Sequence, residues 1–465
     1  MGGRPAAATI TSVSPPPKTA LKTLPTATPA AAPKTSVVPQ GRTRRLLHLG
    51  RAVGELAAGA VGEGLSRLSR GEKAPWSELL LTPSNAARLA ERLSTLRGAA
   101  MKFGQLMSMD GQGVLPPAFA EQLARLRDRA HVMPATQLAE VLHREYGDDW
   151  HRRFRKLGFE PIASASIGQV HRAETHDGRV LALKIQHPGV RESIDSDVAN
   201  LALLARTPGL VPPGIDISPL LQRLREQLRH ETDYAAEAQA IARYRQRLGD
   251  DPVLHVPPVV AEHCTASILA TEFAPGDPID RVTHAPQAQR DHVALALSRL
   301  AVRELFGMQM VQTDPNFANY LFDAHSGHIA LLDFGAAETI SATRVEHLRT
   351  LARALRDDDA AGLTAAAEAA GFIAQGDDPA QVQGILGMMR MAGEPMRQPG
   401  PYDFGASDLF ARMFAAGQAQ YFNEGFSRAP PAELMFLQRK FIGTFLLCTR
   451  LRARVDVAAI FEEWL

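Results

Sequence analysis

The segment Met310-Val-Gln-Thr-Asp-Pro-Asn-Phe-Ala-Asn-Tyr-Leu-Phe322, with Leu331-Leu-Asp-Phe-Gly335 nine residues later, constrains this chain more than any other. It sets an acid at Asp314, an amide five residues on at Asn319, and a second acid at Asp333, fourteen residues past the amide. Carboxylate and amide oxygens are hard ligands that suit Mg²⁺. Moving a terminal phosphoryl group needs such a cation on crowded phosphate oxygens, and a further carboxylate can orient the attacking group. A lone Asp-Phe-Gly marks only a strand leaving into a turn, and a ligand-free hairpin could show it too. Joined to Asp-x4-Asn it becomes a candidate site, with Asp314 as the acid and Asn319 and Asp333 as cation ligands.

Composition narrows the setting. The chain has 465 residues, 45% of them apolar and a net charge of +1, enough for one large core or two and with no global argument for nucleic acid. The charge is uneven: residues 1–54 carry eight basic side chains and no acid, leaving 43 basic against 50 acidic in the rest. Cys264 and Cys448 stand far apart, which excludes a disulfide framework and suits a reducing compartment. No uncharged apolar run approaches the length of a membrane span, so only peripheral membrane attachment is expected.

Residues 1–42 form a basic tail with eight prolines in the first 40 positions, and such a composition predicts disorder. It superficially resembles a transit peptide, but its prolines oppose an amphipathic helix. Arginine outnumbers lysine 43 to 8, which resembles a bacterial coding bias. The expected setting is therefore bacterial, cytoplasmic or peripheral to the inner membrane, with a mitochondrial address as the alternative. From Thr43 to Arg70, apolar residues recur at helical spacing behind Arg42, Arg44 and Arg45. That stripe suits packing on its own domain or lying on an anionic membrane surface. Residues 43–150 read as a helical extension that includes Lys102 and Gln105, three apart on one helix face.

Residues 151–277 read as a small β-rich lobe with a helical insertion near 188–225, and residues 278–465 as a mostly helical second lobe. In the first, Phe159-to-Ala173 places strand formers around a loop of small residues. Aligned on G-x-G-x-x-G-x-V, its marked positions are Ala163, Ala165, Gly168 and Val170, with two glycines replaced by alanine. Each added Cβ keeps the backbone from lying close over phosphates. After the turn His176-Asp-Gly-Arg179 comes Leu181-Ala-Leu-Lys184, matching the protein-kinase strand whose lysine meets the α- and β-phosphates and a helix glutamate. A single long helix is predicted from Ser218-Pro219 to Leu248, offering Glu231, Asp233 and Glu237 as partners. Strands are predicted over 256–260 and 267–273, and a hinge over 270–277 that presents backbone groups of Glu272 to Ala274 to an adenine edge. A helix is expected from Gln287 to Met310, and Gly335 should run almost straight into helix, with no long activation segment and no Ala-Pro-Glu.

Together these motifs resemble the UbiB/AarF-domain (ADCK-type) atypical kinases, closest to their coenzyme-Q branch. Lys102-x-Gly104-Gln105 is similar to the family's K-x-G-Q motif, Ala163-to-Val170 to its Ala-rich loop, and Glu231-x-Asp233 to its E-x-D motif. The resemblance covers roughly residues 85–455. It implies an α+β, bilobal, protein-kinase-like fold with the helical extension over the active site. It also implies ATP and Mg²⁺ as cofactors, with nucleotide contacts at Ala163, Ala165 and Lys184 and with Glu237 paired to Lys184. Asp314 would be the catalytic acid, with Mg²⁺ on Asn319 and Asp333, while Lys102 and Gln105 would cap the substrate region beside Glu231 and Asp233. The implied role is ATPase or small-molecule kinase activity supporting ubiquinone biosynthesis, with prenyl-lipid or quinone precursors and pathway proteins as partners. The alternative is a nucleotide-gated scaffold with little turnover. Ser164 departs from the usual alanine, between the two positions that approach phosphate.

Overall fold

The computed structural model describes residues 132–165, 167–205, 218–423 and 432–465. The tail 1–42, the stripe 43–70, the Lys102-x-Gly104-Gln105 segment and the rest of the expected 43–150 extension up to residue 131 lie outside the described residues.

Helix α1 (Ala135–Tyr146) precedes a five-stranded antiparallel sheet built from β1 (Lys156–Leu157), β2 (Ala163–Ser164), β3 (Gly168–Glu174), β4 (Val180–Gln186) and, later in the chain, β6 (Ile268–Glu272). Strand side chains alternate between faces. In β4 this period sends Leu181, Leu183 and Ile185, all fully buried, to a core shared with Leu138, Val141 and Leu142 of α1. Lys184 therefore projects from the opposite face. By packing, α1 belongs with this sheet. Thr175 and Arg179 close the β3–β4 turn through a backbone hydrogen bond of 2.9 Å, with Gly178 at φ +88°.

Two helices, α2 (Val190–Ala205) and α3 (Ser218–Glu231), lead to α4 (Tyr234–Leu248). The long helix predicted to run from 218 to 248 is thus two helices. Asp233 makes the break: its carboxylate accepts the Ala236 N–H at 3.0 Å, an N-cap that starts a new helix instead of extending the old one. The carbonyl of Thr232, freed at the break, accepts from Gln186 Nε2 and an Arg191 Nη, each at 2.8 Å.

Next come β5 (Leu254–His255), β6 (Ile268–Glu272) and β7 (Asp277–Pro278). The strand predicted over 256–260 is reduced to a single bridge from Val259 to Thr271, because Pro257 and Pro258 have no N–H for a ladder. The pairing shifts to Leu254–His255, which runs parallel to β10 (Ile329–Leu331) in the second lobe. Helix α5 (Gln287–Arg303) stops seven residues short of Met310 and gives way to a π-helical turn over Glu304–Met308. Gln309, at φ +50°, then turns the chain into β8 (Met310–Gln312).

Strands β9 (Tyr320–Phe322) and β10 (Ile329–Leu331) form a hairpin, and β11 (Ala337–Thr339) returns to pair with β8. Gly335 therefore leads into a short strand, not directly into helix. The second lobe is completed by α6 (Ala342–Arg356), α7 (Ala360–Ala370), α8 (Pro379–Ala392), α9 (Glu394–Arg397), β12 (Tyr402–Asp403), α10 (Leu409–Asn423), α11 (Ala432–Leu451), β13 (Arg454–Val455) and α12 (Val457–Glu462). A small antiparallel sheet thus precedes a mostly helical lobe, the α+β, kinase-like plan.

Candidate active site

The β9–β10 hairpin explains the spacing of Asn319 and Asp333. Its register pairs Tyr320 with Leu331 and Phe322 with Ile329, so the residues flanking the strands meet at one end. There the Leu332 N–H donates to the Asn319 carbonyl at 3.0 Å, and Asp333 is the next residue. The Asp333 carboxylate is held by the Gly335 N–H at 2.9 Å, and its carbonyl accepts from Gln312 Nε2 at 3.2 Å. Asn316 caps the short helical turn Phe317–Asn319 by accepting the Ala318 N–H at 3.2 Å. The Asn319 amide nitrogen lies 3.4 Å from Asp314 Oδ2. With that nitrogen turned toward Asp314, the amide oxygen is the group left for a cation.

On the facing sheet, Lys184 Nζ donates to both oxygens of Glu237, at 2.7 and 2.9 Å, and lies 3.7 Å from Asp333 Oδ2. Glu237 sits in the first turn of α4, so the Asp233 cap that ends the preceding helix also places the lysine's partner. Burial alone would push the ammonium toward neutrality; Asp333 and Glu237 together outweigh it and hold Lys184 cationic, well above its ordinary range. Burial pushes the Glu237 carboxyl up to about 7, against the pull of Lys184. The Tyr234 ring lies below the ammonium, 5.3 Å from it. Of the three acids weighed as partners, Glu237 therefore meets Lys184, Asp233 serves as a helix cap, and Glu231 ends α3.

The small-residue loop is a tight hairpin. Ala163 pairs with Val170, and the Ala165 N–H donates to the Gly168 carbonyl at 2.9 Å. Gly168 has a packing reason to be glycine: a Cβ there would stand 3.0 Å from the Ile185 carbonyl carbon and 3.2 Å from Gln186 Cα, both backbone atoms of β4. At the hinge, two N–H groups are already used, Glu272 on Pro258 O at 3.0 Å and Phe273 on Val180 O at 2.9 Å. Of the backbone N–H groups expected to face an adenine edge, the Glu272 and Phe273 amides are therefore already occupied. Gly276, at φ +126°, lets the chain pass against the Phe322 backbone.

Several contacts were not legible in the motifs. Arg439 of α11 donates to Asp314 Oδ1 at 2.9 Å. Its neighbour Lys440 reaches Glu304 Oε2 at 2.7 Å beneath the loop, where Glu304 also accepts from the Tyr244 hydroxyl at 2.5 Å and the Gln312 N–H at 3.3 Å. Burial pushes the Glu304 carboxyl up, and Lys440 opposes it. The sequence carried one cue: Gln438-Arg439-Lys440 interrupts the apolar run from Leu434 to Cys448, where a buried charge needs a partner.

Two oxygen donors, Asn319 and Asp333, suit Mg²⁺, which usually takes one or two protein ligands and completes its shell with phosphates and water. Among the described residues no group of three His, Cys, Asp or Glu side chains could form an all-protein metal cage. The donor chemistry therefore fits a cation that arrives with a polyphosphate.

Residues 125–367 match the ABC1 atypical kinase-like domain. The chain is 37% identical to the mitochondrial atypical kinase COQ8B of Rattus norvegicus, over 92% of this chain and 81% of that one. It is 34% identical to the mitochondrial atypical kinase COQ8 of Saccharomyces cerevisiae, over 92% and 86%. Among solved structures, the Rv3197–erythromycin complex from Mycobacterium tuberculosis superposes with a TM-score of 0.58 at 26% identity, over 80% of this chain and 93% of that one. The chain belongs to the ABC1 atypical kinase-like family.

Proposed function

We propose that this atypical kinase binds ATP with Mg²⁺ between the sheet and the catalytic loop, and hydrolyses it or transfers its terminal phosphoryl group to a small or lipid-linked acceptor. One observation carries the reading. Lys184, Glu237, Asp333, Asn319 and Asp314 come from separate stretches of chain yet form one unbroken series of contacts, from Glu237 through Lys184 to Asp333, and through the Leu332–Asn319 backbone bond to Asp314. In this reading Lys184 holds phosphate oxygens, Ala163, Ala165 and Gly168 cover them, and Glu272 to Ala274 border the adenine. Asn319 and Asp333 hold the cation, whose charge offsets that of the phosphates, while Asp314 orients the acceptor. Lys102 and Gln105, beside Glu231 and Asp233, complete the proposal as the cap over the acceptor region.

The COQ8 and COQ8B relatives support a role in ubiquinone synthesis, and their mitochondrial designations support the mitochondrial alternative for location. Peripheral membrane attachment remains part of the proposal; no described helix is long and apolar enough to cross a membrane.

Thermal stabilisation by MgATP tests the site. Asp333→Asn should abolish it, and an unchanged shift in that variant refutes the assignment. ATP turnover with and without liposomes carrying quinone-precursor mimics tests the role. Lipid-stimulated turnover supports the enzyme, whereas tight binding without turnover supports a nucleotide-gated scaffold.

A further inference from the structure

The Asp314 carboxylate, last of the series just described, is gripped from outside the catalytic loop. Within the loop it meets only a long contact, the Asn319 amide nitrogen at 3.4 Å. The shorter bond, 2.9 Å and between opposite charges, comes from Arg439, 125 residues further along the chain. A charge-assisted bond of that length is the stronger restraint on which way the carboxylate points.

Helix α11 is built to deliver this contact. Arg439 and Gly443 are four residues apart and share a helix face. At Gly443 the helix lies directly on Pro315, the residue after Asp314: an added Cβ would stand 2.5 Å from Pro315 Cγ and closer still to its Cβ. Lys440, next to Arg439, is anchored on Glu304, so the helix is held to the loop region at Glu304, Asp314 and Pro315. Arg439 itself is largely buried, and its Nε–H meets no acceptor among the described residues. Among those residues its short, charge-assisted contact is the one to Asp314.

We propose that Arg439 is a positioning residue for the catalytic-loop acid, holding Asp314 at the orientation that phosphoryl transfer or hydrolysis requires and tying that orientation to the seating of α11. This deepens the reading above and rests on it. Arg439 acts through Asp314, so its loss should slow the chemical step while leaving nucleotide binding almost intact. A misplacement of about 1 Å at a catalytic group can cost about 100-fold in rate.

The experiment uses the full chain, with ATP turnover measured across MgATP concentrations and thermal stabilisation by MgATP recorded on the same samples. Arg439→Gln should lower turnover at saturating ATP by about 10- to 100-fold, with KM and the MgATP thermal shift changed by less than about threefold. Arg439→Lys, which keeps the charge, should recover part of the loss. Because one residue works through the other, adding Arg439→Gln to Asp314→Asn should cost less than about threefold more. Full turnover in Arg439→Gln overturns the proposal, and so does an equal fractional loss in the Asp314→Asn background. A parallel loss of MgATP binding in both Arg439 variants also overturns it, since that is the mark of a merely structural arginine. A wild-type protein that MgATP does not stabilise refutes the underlying reading, a distinct outcome that removes this proposal with it.

Discussion

Replacing Lys440 by methionine keeps the side chain's length and removes its charge. In the native protein the ammonium sits 2.7 Å from Glu304, with the two side chains at 3% and 0% exposure. After the substitution Glu304 keeps the Tyr244 hydroxyl and the Gln312 N–H as donors but loses its countercharge. Breaking a buried pair from one side costs about 3–5 kcal/mol. Glu304 has one escape, which is to take up a proton. From its ordinary value of 4.5 to pH 7 that spans about 2.5 pH units, or about 3.5 kcal/mol at about 1.4 kcal/mol per unit. The escape limits the charge penalty, so Lys440→Met should destabilise the protein by about 3.5 kcal/mol at pH 7. At about pH 5.5 the same proton costs one unit, and the loss should shrink to about 1.4 kcal/mol. Urea unfolding at the two pH values measures both, and Glu304→Gln added to Lys440→Met should recover most of the difference. A loss below about 1 kcal/mol at pH 7, or one that does not change with pH, refutes the reasoning.

Other consequences are as direct. Gly168→Ala should cost about 1–3 kcal/mol by forcing β3 from β4, since the atoms it meets are backbone and cannot swing away; thermal denaturation without nucleotide reads this. Ala165→Gly should loosen the small-residue hairpin and alter nucleotide preference, so identical ATP, GTP and ADP shifts in the two proteins count against the steric account. The Glu237 carboxyl, pushed up to about 7, is charged above that pH and loses an acceptor site for Lys184 below it. MgATP affinity should therefore weaken from about pH 8 to about pH 6, and Glu237→Gln should flatten that dependence in a binding titration. Burial holds the His171 imidazole below its usual 6.5, opposed by the Gly158 carbonyl, so the folded state keeps it neutral while the unfolded chain takes a proton. The stability this confers above about pH 6.5 should be lost as the pH falls, and His171→Gln should make the acid limb of a stability profile shallower.

How legible each feature was depends on how far its cause extends along the chain. Asn319 and Asp333 come together because a hairpin returns on itself within fourteen residues, and backbone register does the rest. The buried and projecting faces of β4 follow from a period of two, which sets Lys184 opposite the Leu181–Ile185 core. The Asp233 cap was written in the sequence as well, but the continuous apolar pattern on either side masked it, and one helix was read where two exist. The missing strand at 256–260 had a local cause too, in Pro257 and Pro258. The residues alone left Glu231, Asp233 and Glu237 open and the family resemblance pointed to Glu237; the physical reason for that pairing is where α4 docks on the sheet.

What this sequence determined alone was the chemistry available at the site: which acids, amide and lysine exist, and which of them a short turn must bring together. What only the tertiary structure decided was which distant cations hold those acids, because Arg439 and Lys440 lie more than a hundred residues away, on a helix whose seating is set by shape. Backbone hydrogen bonding and side-chain period act over a few residues and leave a trace in the order of the letters. The approach of Gly443 to Pro315 depends on two whole elements fitting against each other, and no local pattern records that fit.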